Sequence, residues 1–283
     1  MRGEPMNAPT PRSPWAQIRV IAGKEFHDRL RNRWVLAISL VFAAFTLAIS
    51  YFGAAAQGAV GFHGIEPLIA SLVSLAIYLL PLIALILGFD ALVGERERGT
   101  LNLLLSYPLT RTELLVGKYV GLAAALTCAT LAGFGAAGAV IAPRVSIADW
   151  YQYAGFVLSA VLLGWVFLSL AVCASAFCAS RASASGVAIA LWFFFVLVYD
   201  LLLLGALVLT SGAGLGPALP LLLLLNPADV FRVLNIFGPG DLRTMYGAVS
   251  AFPAALASPL LLGPVMLAWI AAPLGLAAWR FNR

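Results

Sequence analysis

The sequence predicts an all-α polytopic membrane protein, and three observations carry that prediction. Of its 283 residues, 62% are hydrophobic and 10% charged, whereas soluble domains carry roughly 25% charged residues. The apolar residues fall in blocks of twenty or more, about the length of a helix that crosses a bilayer. Alternating segments of about ten residues, which a transmembrane barrel needs, are absent. A mean hydropathy of +0.98 is more than one water-soluble core can hide.

Residues 1–14 are rich in proline, carry Arg2 and Arg12, and hold no apolar run of signal-peptide type. They read as a disordered, uncleaved cytoplasmic tail. In residues 15–34, Ile18, Ala22, Phe26, Leu30 and Trp34 recur every fourth position while Arg19, Lys24, His27, Arg31 and Arg33 take other faces. That pattern predicts an amphipathic helix in the headgroup plane, with membrane lipid as its neighbour. Residues 35–283 form the transmembrane domain, with six spans at 35–55, 68–92, 119–141, 153–178, 183–210 and 254–279.

Orientation follows from the basic residues. With the N-terminus in the cytoplasm, only Arg144, Arg232 and Arg243 of 17 lysines and arginines fall outside. Both termini are then cytoplasmic. The net charge of +5 and the pI near 9.4 become topology signals, which leaves a nucleic-acid partner nothing to explain.

Residues 211–253 need a separate reading. The apolar run 219–225 is too short to span and is bracketed by Pro217, Pro220 and Pro227, so one or two short helices on or dipping into the outer leaflet are expected. After the Asn226-Pro227 turn, Asp229 opens a helix in which Val230, Phe231 and Leu234 share a face and Arg232 and Asn235 point elsewhere. Phe231, Leu234, Ile236 and Phe237, rimmed by Asp229, Arg232, Asp241 and Arg243, read either as a docking surface for an outer partner, centred on Phe231, Arg232 and Leu234, or as a cap on the spans. In the last span Pro259, Pro264 and Pro273 are expected to leave carbonyls unpaired and bend the helix.

Soluble-enzyme signatures are missing: there is no GxxxxGK[ST] loop, no GxGxxG, no HExxH, and the histidines are only His27 and His63. The expectation is a chain without catalytic residues, resident metal or cofactor. Cys173 and Cys178 sit about 140° apart around a helix and, with Cys128, read as small apolar side chains.

The informative loop is 94–118, on the cytoplasmic side. Gly99 ends a charged run containing Glu95 and Glu97; Thr100 can cap a two-turn helix whose Leu101, Leu104 and Leu105 share a face; Pro108 stops it. Thr110 to Glu113 matches a capping box for the next helix. The reading is a folded device across the cytoplasmic mouth, against the alternative of a solvated charged loop. Asp200, beside Tyr199 and a leucine run in the outer half of the fifth span, either lines a substrate path or makes a local polar contact. Asp90, at the cytoplasmic end of the second span, reads as structural.

At Glu95, Glu97, Gly99, Thr100, Leu101, Leu104, Leu105, Pro108, Arg111, Gly117 and Lys118 the chain resembles the permease subunits of ATP-binding-cassette transporters of the ABC-2 class, with Asn102 standing where an acidic residue is common. The resemblance extends over the whole chain. It implies type V permease architecture, a homodimeric or pseudo-dimeric assembly in the bacterial inner membrane, and a coupling loop seated in a groove of separate ATPase subunits that hold the ATP and Mg. More narrowly, the chain is similar to permeases of the transporter that matures the copper sites of nitrous-oxide reductase, which implies a periplasmic β-helical partner. Two other classes remain open at this stage. An ion-coupled secondary transporter would use Asp200 and Asp90 as proton sites, but corresponding broken spans in two halves are not visible. A membrane-embedded enzyme would need convergent nucleophile, base or metal ligands.

Overall fold

The computed structural model describes residues 13–31, 33–52, 64–209, 218–236 and 256–283. The expected tail at 1–12, His63, and residues 237–255, with Phe237, Asp241 and Arg243, lie outside the described residues. The described elements are helices: α1 (Pro14–Leu30), α2 (Arg33–Phe52), α3 (Ile65–Gly88), α4 (Val93–Glu97), α5 (Thr100–Leu105), α6 (Arg111–Ile141), α7 (Ile147–Phe177), α8 (Arg181–Phe193), α9 (Tyr199–Leu209), α10 (Leu219–Leu224), α11 (Pro227–Ile236) and α12 (Pro259–Asn282). A π-helical turn, Phe194–Val198, joins α8 to α9.

Among the described residues, five helical stretches are long and apolar enough to cross a membrane: Ile65–Glu97, Arg111–Ile141, Ile147–Phe177, Arg181–Leu209 and Pro259–Asn282. They fall on the second to sixth spans expected from the sequence. The first expected span falls on α2, whose apolar stretch Leu40–Tyr51 is shorter than the other five.

Helix α7 is the axis of the fold, packed against α3, α6, α11 and α12. A chain of edge-on and tilted rings ties its N-terminal half to its neighbours: Phe42 of α2 meets Phe134 of α6 at 5.0 Å, Phe134 meets Phe156 of α7 at 4.8 Å, and Phe156 meets Phe231 of α11 at 6.3 Å. Such ring pairs add about 0.5–1.5 kcal/mol each beyond burial.

Helix α1 packs along the start of α6. Gly117 and Gly121, four apart on α6, make the approach possible, because a Cβ on Gly121 would sit 2.5 Å from the Ala22 carbonyl oxygen. Small residues at this spacing let two helix backbones come together. The face of α1 that meets α6 holds Ile18, Ile21, Ala22 and the buried Glu25. Ile18 and Ala22 of the apolar stripe are thus drawn into a helix-helix contact together with Glu25, a carboxylate outside the stripe.

Helix α12 runs unbroken from Pro259 to Asn282. Pro259 occupies the first turn, where a missing N–H costs nothing, so it opens the helix instead of bending it. Pro273 does deprive the Trp269 carbonyl of its helical donor, and Ser169 Oγ of α7 donates to that oxygen at 3.2 Å. A neighbouring helix thereby satisfies the backbone group that proline releases.

Candidate functional site

The loop between α3 and α6 folds as a compact device. Gly99 stands in the left-handed region at φ 71°, which only glycine takes without strain, and it turns the chain from α4 into α5. The capping box at the start of α6 is complete: Thr110 Oγ1 accepts from the Glu113 N–H at 3.2 Å and the Glu113 carboxylate accepts from the Thr110 N–H at 2.7 Å. Thr100, expected as a cap, has another role. Gly99 is the cap residue of α5, and the Thr100 hydroxyl turns back to the Glu95 side chain and, at 3.3 Å, to the Glu95 carbonyl.

The leucines of α5 divide by face. Leu101, Leu104 and Leu105 are half-buried against the chain's own core, whereas Leu103 is 66% exposed and Tyr107 65%. Six residues of helix followed by the exposed Pro108 thus offer a small outward apolar knob of Leu103 and Tyr107. Periodicity places the three leucines on one face, and that face meets the chain's own core.

Beneath the loop lies a buried ion network. Lys118 of α6, 3% exposed, donates to Glu25 of α1 and, at 3.1 Å, to Glu95 of α4. Glu95 also faces Arg98 at 3.7 Å, and Glu25 faces Arg29 at 4.0 Å. A second set anchors the other side of the loop. Arg181, at the start of α8, grips the Asp90 carboxylate with two nitrogens, Nε at 2.5 Å and Nη2. The Arg181 N–H donates to Glu97 at 2.8 Å, Arg96 donates to the Cys178 carbonyl at 3.0 Å, and Ser175 Oγ accepts from the N–H groups of Leu92 and Val93, both at 3.0 Å. Arg111 donates to the Phe281 carbonyl at 2.7 Å and Asn282 to Thr112 at 3.1 Å, which ties the end of α12 to the start of α6. The motif residues Glu95, Glu97, Thr100, Arg111 and Lys118 are therefore brought together as supports of one loop. Glu25, Ser175 and Arg181 complete it and escaped the sequence reading. The Gly117 to Gly121 spacing beside Lys118 was the available signal that another helix would dock there.

A second polar cluster sits midway along the spanning helices. Helices α10 and α11 form a hairpin whose tip, Asn226-Pro227, is fully buried at Asn226. The π turn bonds the Tyr199 N–H to the Phe194 carbonyl; the Phe195 carbonyl, relieved of Tyr199, accepts from Asn226 Nδ2 at 3.0 Å. Phe195 lies near the middle of the 29-residue helix Arg181–Leu209, about 21 Å from its start at 1.5 Å per residue. Trp269 Nε1 donates to the Leu224 carbonyl at 3.1 Å and the Tyr199 hydroxyl to the Leu222 carbonyl at 2.6 Å, so the carbonyl end of α10 is capped by side chains at that depth. Asn226 Oδ1 in turn accepts from the Ala228 N–H at 3.0 Å and opens α11. Arg232 then joins the hairpin to α9: it donates to Asp229 at 2.5 Å and to Asp200 at 3.0 Å.

This geometry corrects the docking surface read from the sequence. Phe231 is 0% exposed and packs on Phe156. Arg232 is held between two carboxylates, Asp229 is 1% exposed, and Leu234 packs against the core. The hairpin dips between α3, α7 and α12, which turns those side chains inward. For Asp200 the structure supplies a local partner, Arg232, while its side chain stays 35% exposed. Among the described residues the three cysteines are free, and no group of three His, Cys, Asp or Glu could hold a metal ion.

Residues 19–283, from α1 to the chain end, match the ABC-2 family transporter proteins. The chain belongs to the ABC-2 transporter family. Two curated relatives agree. A protein of Stutzerimonas stutzeri named "Probable ABC transporter permease protein NosY" is 46% identical over 271 residues, which cover 94% of this chain and 98% of the relative. A protein of the same name from Pseudomonas aeruginosa is 48% identical over 270 residues, covering 93% and 97%. As an ABC-2 permease subunit, the chain is a multi-pass membrane component, and the loop from Glu95 to Lys118 carries the resemblance first noticed in the sequence.

Proposed function

We propose that this permease is driven in trans by ABC ATPase subunits, which carry the ATP and Mg, and that α5 is the element they grip. The observation that carries the reading is the loop's construction. Its outward knob, Leu103 and Tyr107, is apolar and exposed, while the other side is fixed by ion pairs to α1, α6 and α8. Such an element passes a push from outside into several helices at once. Two copies of the chain form the membrane unit in the bacterial inner membrane, α2 serves as the sixth span, both termini face the cytoplasm, and α1 lies at the membrane surface. Asp200, partly exposed midway along its helix, faces the path between the copies, since a carboxylate facing hydrocarbon costs several kcal/mol.

The likeness to the two relatives named NosY, together with the narrower resemblance noted in the sequence, supports a role in maturing the copper sites of nitrous-oxide reductase with a periplasmic β-helical subunit, by moving a copper- or sulfur-related solute or by transmitting force. An ion-coupled secondary transporter is less well supported, because the carboxylates it needs, Asp200 and Asp90, are both engaged by arginines.

The test is purification in mild detergent with identification of co-purifying chains, joined to deletion of the gene. An ABC ATPase in the complex, and nitrous-oxide reductase lacking its copper centres in the deletion strain, are expected. Full ATP-dependent activity of the isolated chain, or an intact reductase without it, overturns the proposal. Topology is read separately: an introduced cysteine at Thr112 should resist an impermeant thiol reagent in intact cells and one at Gly240 should react.

A further inference from the structure

The ion network under the coupling loop joins α1 to the consecutive elements α4, α5 and α6, which lie far from it along the chain. We propose that Lys118 is a positioning residue that makes α1, the α4-α5 loop and the first turns of α6 one rigid body, so that the N-terminal helix is a moving part of the drive and not a passive membrane anchor. Lys118 is all but fully buried and its single cation is shared by a carboxylate from α1 and a carboxylate from α4. Glu25, with its side chain 10% exposed, and Glu95, at 13%, meet little water; their other cations, Arg29 at 4.0 Å and Arg98 at 3.7 Å, stand farther off, and separating either carboxylate from Lys118 leaves the buried lysine undercompensated. The α1 backbone is pressed into the Gly117-Gly121 groove one turn from the same lysine, so sliding α1 along α6 would break the ion pairs and the close packing together. Thr100 adds the last link: its hydroxyl bonds to the Glu95 carboxylate, which carries the connection into α5. The inference deepens the coupling proposal by adding α1 to what α5 moves.

The experiment uses the full chain in nanodiscs, with its native cysteines replaced and spin labels at the exposed Val20 of α1 and Asn102 of α5. The distance distribution between the labels is expected to be narrow and single in the wild-type background, and to stay unchanged when the ATPase partner is added and trapped with ATP. A pair at Asn102 and the exposed Leu209 of α9 is expected to shift in the same trapping. In Lys118→Met the Val20 to Asn102 distribution should lose its single narrow peak, and Lys118→Arg should restore it. Should Lys118→Met fail to fold, the triple variant Lys118→Met, Glu25→Gln, Glu95→Gln removes every buried charge and should still lose the narrow peak. A triple variant with the wild-type distribution overturns the proposal. So does a wild-type Val20 to Asn102 distance that changes on trapping while α5 moves. The distributions of the chain alone decide the rigid-body claim even if no ATPase binds, an outcome that would instead count against the coupling proposal.

Discussion

The two ion clusters of this permease solve one problem at two depths. At the end of the helices that carries the α4-α5 loop, Lys118 is shared by Glu25 and Glu95 and Arg181 is clasped to Asp90; midway along the helices, Arg232 is shared by Asp229 and Asp200. In each shared case one cation faces two carboxylates from different segments, so the cation decides whether the segments stay together. The difference lies in access to water. Arg181 is 42% exposed at its side chain and can rehydrate, while Asp229 is 1% exposed and cannot. Removing a charge should therefore cost most where it strands a sealed carboxylate such as Asp229, less at the open Arg181, and least where only a neutral hydrogen bond is lost.

Arg232→Met should have the largest effect. It strands Asp229 beside a second carboxylate, Asp200, with Asn226 as a neutral partner, and breaking a buried pair from one side costs about 3–5 kcal/mol. The expected readout is a large drop in the thermal stability of the detergent-purified protein. Neutralising all three residues, as Arg232→Met, Asp229→Asn and Asp200→Asn, should recover most of that loss. If Arg232→Met melts like the wild type, the mid-helix cluster is not an ion-paired core.

The faces of α5 give the next contrast. Leu104→Asp puts a charge against the chain's own core and should cost about 2–3 kcal/mol. Leu103→Asp with Tyr107→Asp touches exposed positions and should leave stability within about 0.5 kcal/mol of wild type while abolishing capture of the ATPase. Melting curves and pull-down on the same preparations separate the two effects. The reverse pattern, with Leu104→Asp stable and deficient in capture, would place the partner on the other face.

These two clusters also mark how far the sequence could be read. Spans two to six needed only hydropathy and length, and the capping box at Thr110 was legible because its chemistry is local. Lys118 and Glu95 were visible as motif residues through a family resemblance, but Glu25 was hidden, since a four-residue apolar period assigns faces by the majority of side chains and cannot show a carboxylate turned toward a groove on a later helix. The stripe Leu101, Leu104 and Leu105 was legible as a face, yet periodicity says nothing about what that face meets. Asp200 stood out as a carboxylate in an apolar run. Its partner Arg232 was counted instead as an outer basic residue, because a hairpin that dips to mid-depth depends on tertiary contacts from Trp269, Tyr199 and Phe195.

Packing of α1 can be perturbed without touching a charge. Gly121→Ala places a methyl 2.5 Å from the Ala22 carbonyl oxygen; backbone must shift, at a cost of about 1–2 kcal/mol. Gly135→Ala, on the same helix with nothing within 4 Å of the new Cβ, should stay within about 0.5 kcal/mol of wild type. Equal melting temperatures for the two variants would show that α1 is not seated in the Gly117-Gly121 groove as described.

The smallest expected effect tests the neutral end of the comparison. Ser169 Oγ has one proton and two acceptors in reach, the Val166 carbonyl of its own helix at 2.7 Å and the Trp269 carbonyl of α12 at 3.2 Å. The longer branch is the weaker, so Ser169→Ala should cost only about 0.5–1 kcal/mol. What distinguishes this from any lost hydroxyl is its dependence on Pro273. In Pro273→Ala the new N–H at position 273 lies one helical turn beyond Trp269 and can donate to its carbonyl. The Ser169 hydroxyl is then redundant there, and removing it should cost close to nothing. A double-mutant cycle on thermal stability measures the difference between the two backgrounds. Equal costs for Ser169→Ala with and without Pro273 would mean that the hydroxyl does not satisfy the carbonyl released by the proline, and that α12 tolerates Pro273 by other means.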